Sequence, residues 1–192
     1  MNSTNKKSLF PVKRLVLNAV LIALYVVLGF WRIPIGNMLR ISIAPFAVIL
    51  CAMLFGPVDG LIVGFLGEFL TQIMGPYGLT QTTLLWCLGE TARGFTLGLC
   101  VWLMRKNLHI SFDSPTIRHL VMLLATCVFT GILASFGNTL ALYVDSKLFG
   151  YYSYYAVFGV LIMRIAIHSV VSALLGYICL PIIKALRKAK LV

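Results

Sequence analysis

Residues 41–69 read ISIAPFAVILCAMLFGPVDGLIVGFLGEF. One apolar run ends at Gly56-Pro57, a second follows from Leu61, and a carboxylate, Glu68, stands inside that second run. Glycine followed by proline stops a helix, because proline can neither donate a backbone hydrogen bond nor follow a helical residue without a clash. A charged group at the centre of a bilayer costs at least ~2.5–3.5 kcal/mol, so Glu68 calls for a polar partner or a ligand. These residues therefore predict two helices in an apolar solvent, one of them carrying a functional charge.

The rest of the chain has the same character. Of 192 residues, 60% are hydrophobic and 11% charged, against about 25% charged in soluble domains. The reading is an all-α membrane protein, a single integral domain over residues 1–192. A net charge of +11 raises nucleic acid as a partner, but the basic residues flank apolar runs instead of lining a soluble face. The five cysteines show neither metal-ligand nor CxxC spacing and read as small buried hydrophobes. No metal site and no cofactor are expected.

Apolar runs predict six transmembrane helices, near 15–31, 41–55, 61–74, 82–104, 119–143 and 154–186. The first run continues to Trp31 with no small-residue cleavage site and reads as an uncleaved span. With the N-terminus inside, eleven basic residues fall on the inner side: Lys6, Lys7, Lys13, Arg14, Arg105, Lys106, Arg118, Lys184, Arg187, Lys188 and Lys190. Only Arg32, Arg40 and Lys147 fall outside. The positive-inside rule then places both termini in the cytoplasm. The outer loops are expected at 32–40, 75–81 and 145–152, and Tyr151, Tyr152, Tyr154 and Tyr155 cluster at the last of them. Such tyrosines serve as interfacial anchors, the favoured reading, or as an aromatic lid.

Polar groups gather in the outer half of these spans. Glu68 and Gln72 are four apart, as are Arg164 and His168, while Glu90 and Arg93 are three apart. Each pair shares a helix face. At 1.5 Å per residue, Glu90 and Arg93 lie roughly 12–17 Å below the outer surface. Asn138 stands near the outer end of the fifth span. Trp86, one turn above Glu90, can stack a flat ligand ring or anchor its helix at the interface. A channel would need polar lining throughout, so this one-sided set predicts an outward-opening pocket. Its expected ligand-binding residues are Glu68, Gln72, Trp86, Glu90, Arg93, Asn138, Arg164 and His168. The competing reading makes Glu90–Arg93 and Glu68–Arg164 internal ion pairs, although burying such pairs is not reliably stabilising.

Catalysis finds little support. His168 has no obvious nucleophile, Ser169 points to another helix face, and no HExxH occurs. No Walker A motif is present, so the chain does not itself hydrolyse ATP. Nor are there two matched halves with broken helices, as many secondary transporters have. A binding subunit that needs an energised partner fits best; the alternative is an autonomous secondary carrier or channel for a small metabolite. Ala19 and Ala23, four apart on the first span, would let another helix approach closely.

The FGPxxG turn (Phe55, Gly56, Pro57, Gly60), the VGxxG run after it, the AxxxA of Ala19 and Ala23, the six spans and the basic C-terminus resemble one family. It is the substrate-binding S component of energy-coupling factor (ECF) transporters, the vitamin-uptake branch of ABC transporters in prokaryotes. The resemblance implies a vitamin binder in a prokaryotic cell membrane, its ligand held near the outer face beneath outer loops. Ala19 and Ala23 would meet a transmembrane coupling subunit, two cytoplasmic ATPases would complete the complex, and toppling in the membrane would deliver the ligand. Folate-type members carry an FPGFT-like stretch where this chain has GPYGLTQTTLLW at 75–86. Arg93 and Arg164 suit a carboxylate, so pantothenate is expected first, folate next, and pyridoxine-like or cobalamin ligands behind. Glu68 and Glu90 weigh against that order, because they can neutralise both arginines.

Overall fold

A computed structural model describes residues 12–35, 39–76, 78–108 and 116–189. The basic residues Lys6, Lys7 and Lys190, and parts of the predicted loops (36–38, 77 and 109–115), lie outside the described residues. The elements run α1 (Val12–Phe30), β1 (Arg32–Ile35), β2 (Leu39–Ser42), α2 (Pro45–Phe55), α3 (Pro57–Ile73), α4 (Thr83–Leu108), α5 (Ile117–Phe149), α6 (Tyr154–Gly159) and α7 (Leu161–Lys188). By length and composition, α1, α5 and the stretch Tyr154–Lys188 are each able to cross a membrane.

The second helix forms the centre of the bundle. It is apolar on every side, and Ala47, Val48, Ile49, Cys51, Ala52 and Met53 are fully enclosed. A helix without a polar face must be covered all round. Eleven residues span only about 16 Å, so its ends need protein partners within the bundle. At its C-terminus those partners are arginines. Arg105 of α4 donates to the carbonyls of Met53 and Leu54, and Arg14 of α1 donates to that of Phe55. The last carbonyls of a helix lack intrahelical donors and attract cations, so both needs are met together. Gly56, at φ 98°, makes the turn, and Pro57 opens α3 where its missing N–H costs nothing.

Helix α3 lies backbone against backbone on α4. A Cβ added to Gly94 would come within 2.0 Å of the Gly60 carbonyl oxygen, and one on Gly64 within 2.5 Å of the Glu90 carbonyl oxygen. These glycines bring the helix bearing Glu68 and the helix bearing Glu90 and Arg93 into one wall, as small residues do in lipid. On the far side α5 packs extensively on both α4 and α7.

Four expectations need correction. The chain is not wholly helical: residues 32–35 and 39–42 pair antiparallel, Arg32 opposite Ser42 and Ile35 opposite Leu39. Ile33, Ile41 and Ile35 favour extended backbone, and Pro34 is tolerated in a ribbon with two free edges. The second helix therefore starts at Pro45 and not at Ile41, while the third begins at Pro57 directly after the turn. Helix α5 runs on to Phe149, placing Asp145 and Lys147 on a helix and not in a loop. Polar residues do not end a helix; Gly150 does, in the left-handed conformation with its N–H on the Ser146 carbonyl. The last predicted span is broken at Val160 into α6 and α7.

Candidate functional site

A cavity of about 610 Å³ opens at the end of the bundle that carries the hairpin. All eight residues expected from the sequence line it: Glu68 and Gln72 from α3, Trp86, Glu90 and Arg93 from α4, Asn138 from α5, and Arg164 and His168 from α7. Helical spacing put each pair on one face, and packing turns those faces toward one space.

Two carboxylates are held differently. Glu68 accepts from the Tyr25 hydroxyl at 2.7 Å and from Gln72 Nε2 at 2.6 Å, with Arg32 Nη2 3.8 Å away. Tyr25 of α1 reaches it because Gly67 leaves room for the ring: a Cβ there would sit 2.7 Å from Tyr25 Cγ. Glu90 has much less. Its Oε1 lies 3.5 Å from Arg93 Nη2, beyond the usual hydrogen-bond range, and its buried Oε2 has no hydrogen-bond partner among the described residues. The buried Arg93 Nε is likewise unpartnered. Leaving such groups unsatisfied costs more than the pairing itself contributes.

Around these sit further polar groups. Arg164 Nη1 donates to Thr139 Oγ1 at 2.9 Å, and His168 Nδ1 lies 3.0 Å from Ser135 Oγ. Thus the anticipated Glu90–Arg93 contact is present, Tyr25, Gln72 and Arg32 surround Glu68, and Arg164 reaches Thr139. Asn138 packs on the bare backbone of Gly89, where a Cβ would meet its Oδ1 at 2.6 Å. Asp145 accepts from Thr82 Oγ1 and, at 2.7 Å, from Trp86 Nε1. The hairpin adds Arg32, Arg40 and Ser42, the end of α5 adds Phe149, and the segment after it adds Tyr151 and Tyr152. Two of the four clustered tyrosines therefore face the cavity.

Tyr25, Arg32, Arg40, Asp145 and the two tyrosines were not among the expected residues. Tyr25 lies in an apolar run with no polar residue three or four positions away to flag it. Asp145 carried a usable signal: an anion in the last turns of a helix runs against the dipole, so some other group must hold it there. At the opposite end lies a polar cluster the sequence reading missed altogether. Asp59, fully buried, accepts from Arg14 and from Asn18 Nδ2, and Asn18 in turn accepts from the Cys51 thiol at 3.4 Å. Ala19 and Ala23 lie exposed on α1, away from the face that buries Asn18 and Tyr25.

Three comparisons bear on this arrangement. The family model for the ECF-type riboflavin transporter S component matches residues 10–188. UPF0397 proteins of Streptococcus pneumoniae strains CGSP14 and Hungary19A-6 are each 30% identical over 137 residues, covering 67% of this chain and 70% of theirs. The solved S component for biotin from an ECF-type ABC transporter superposes with a TM-score of 0.64 at 19% identity, covering 98% of this chain and 95% of that one. The solved S component of a bacterial ECF transporter gives 0.51 at 16% identity over 93% and 95%. At those identities the two structures speak for the fold alone.

Proposed function

The chain belongs to the ECF-type riboflavin transporter S-component family, a family of transporter subunits and not of enzymes, and we propose that the 610 Å³ cavity is where it captures its vitamin from outside the cell. One observation carries this: eight polar side chains from four largely apolar helices border a single cavity. A cavity of this volume suits a small organic ligand, and convergent polar groups in it would fix orientation.

In this reading the chain is one integral domain that passes six times through a prokaryotic cell membrane, with both termini cytoplasmic. Arg14, Arg105, Lys106, Arg118, Arg187 and Lys188 lie toward the end away from the cavity, which supports that orientation. The partners are a transmembrane coupling subunit, docking on Ala19 and Ala23, and two cytoplasmic ATPases that drive inward delivery.

For the ligand, riboflavin comes first. The family description favours it, and so does the charge around the cavity: Arg32 and Arg93 already face Glu68 and Glu90, and Asp145 adds a further anion. A neutral ligand with many hydrogen-bonding groups suits this balance better than a carboxylate. Arg40 and Arg164, which also line the cavity, favour the second reading, an anionic vitamin with pantothenate before folate.

A thermal-shift panel of B vitamins on the detergent-solubilised protein tests the proposal. A ligand at a hundred times its Kd stabilises the native state by about 2.7 kcal/mol. Riboflavin is expected to raise the melting temperature without ATP. Stabilisation by pantothenate or folate alone would overturn the ligand order. No shift with any vitamin, together with metabolite flux through liposomes holding this chain alone, would favour the autonomous carrier.

A further inference from the structure

Asp145 sits where its own helix disfavours it, about one turn before the end of α5, and yet it borders the cavity. Two donors at the N-terminal end of α4, one just before it and one within it, compensate. Thr82, buried just before α4, donates through its hydroxyl, and Trp86, one turn on, donates its indole N–H at 2.7 Å. An indole has one donor, and using it on a fixed carboxylate leaves the ring little freedom to rotate. Asp145 and Phe149 are four apart on α5 and share a face. Phe149, on the same face of α5 as the carboxylate that holds the indole, stacks its ring on Tyr151 at 5.7 Å with 24° between planes. Trp86, Phe149 and Tyr151 all line the cavity.

We propose that Asp145 is a positioning residue: by gripping the Trp86 indole and Thr82 it presets an aromatic wall against which the planar ring of the ligand stacks. The ligand class this wall selects is a flat heteroaromatic ring, as opposed to a flexible chain with a terminal charge. The inference rests on the proposed function for the presence of a ligand, but the preset wall exists without one and can be measured without one.

The test uses the full chain with Trp31→Phe and Trp102→Phe, two exposed tryptophans outside the cavity lining, so that Trp86 alone emits. Without ligand, Trp86 emission should be strongly polarised and poorly quenched by acrylamide when Asp145 is present. D145L should depolarise it and open it to quencher, whereas D145N, which keeps an acceptor for the indole, should restore both signals. With riboflavin as probe, flavin emission should be quenched on binding through contact with the indole. D145L should bind at least tenfold more weakly with brighter bound flavin. W86F, which keeps a ring but loses the N–H, should weaken binding similarly, and adding D145L to W86F should cost little more. An immobile Trp86 in D145L, additive losses in the double variant, or a D145N as mobile as D145L would each overturn the proposal. Failure of the unsubstituted protein to bind riboflavin would instead overturn the ligand assignment, and Trp86 polarisation would still decide the role of Asp145.

Discussion

Asp59 and Glu90 are both carboxylates buried in the bundle, and the protein treats them in opposite ways. Asp59 is wholly enclosed and wrapped by Arg14 and Asn18. Glu90 has one arginine at 3.5 Å and an oxygen with no partner among the described residues, and it borders a cavity. Removing a carboxylate from water costs several kcal/mol, which protein donors can offset. At Asp59 they do, and the cluster ties α1 to the turn between α2 and α3. At Glu90 they do not, and the remaining capacity lies beside space that a ligand can fill. The contrast separates charge committed to architecture from charge left with unused hydrogen-bonding capacity beside a cavity.

The contrast fails if the two sites respond alike to losing an arginine. Arg14→Ala is expected to have the largest effect, because it strands a fully buried carboxylate; breaking such a pair costs about 3–5 kcal/mol. The melting temperature in detergent should fall steeply, while the fraction that stays folded binds its vitamin within about threefold of the original affinity, under ~0.7 kcal/mol. Arg93→Ala should show the reverse weighting, with affinity lower by about 2–3 kcal/mol and a smaller loss of melting temperature, since deleting the Arg93 side chain opens room for water from the cavity to reach Glu90. Calorimetric titration and a melting curve on each variant check the pair. A stable, non-binding Arg14 variant beside an unstable, tightly binding Arg93 variant would invert the assignment.

Two smaller changes sharpen it. Gly64→Ala places a methyl 2.5 Å from the Glu90 carbonyl oxygen and must push α4 away. Overpacking of this kind costs about 1–3 kcal/mol, and here the displacement also moves Glu90 and Arg93, so affinity and stability should fall together. Tyr25→Phe removes the hydroxyl that holds Glu68 at 2.7 Å, a loss of about 1–1.5 kcal/mol. It should appear in vitamin affinity more than in melting temperature.

The sequence disclosed one of these two sites and not the other, for a physical reason. Glu90–Arg93, Glu68–Gln72 and Arg164–His168 recur at helical spacing within single helices, so their shared faces could be read before any packing was known. Their gathering in one half of the bilayer then implied a common space, and all eight lie around it. Asp59 is joined to Arg14 and Asn18, more than forty positions away, and that partnership exists only once α1 lies on α3. Tyr25 was hidden in the same way. The helical bundle itself was legible because hydrocarbon demands long apolar helices. The hairpin was not: its four-residue strands merge into the apolar start of α2, where alternation is too short to register.

The smallest effect on the isolated chain is expected at Ala19 and Ala23. Both side chains are exposed on α1, on the face opposite the one that buries Asn18 and Tyr25. Changing both to leucine removes no internal contact, and exposed substitutions of this kind usually stay within about 0.5 kcal/mol. Melting temperature and vitamin affinity should therefore match the parent protein. Uptake into cells that supply the coupling subunit and ATPases should nonetheless be lost, because leucine prevents the close helix approach that alanines permit. Unimpaired uptake by this double variant would remove α1 from the docking face. Lost affinity in the isolated chain would instead show that α1 transmits its surface to the cavity, through the Tyr25 hydroxyl on Glu68.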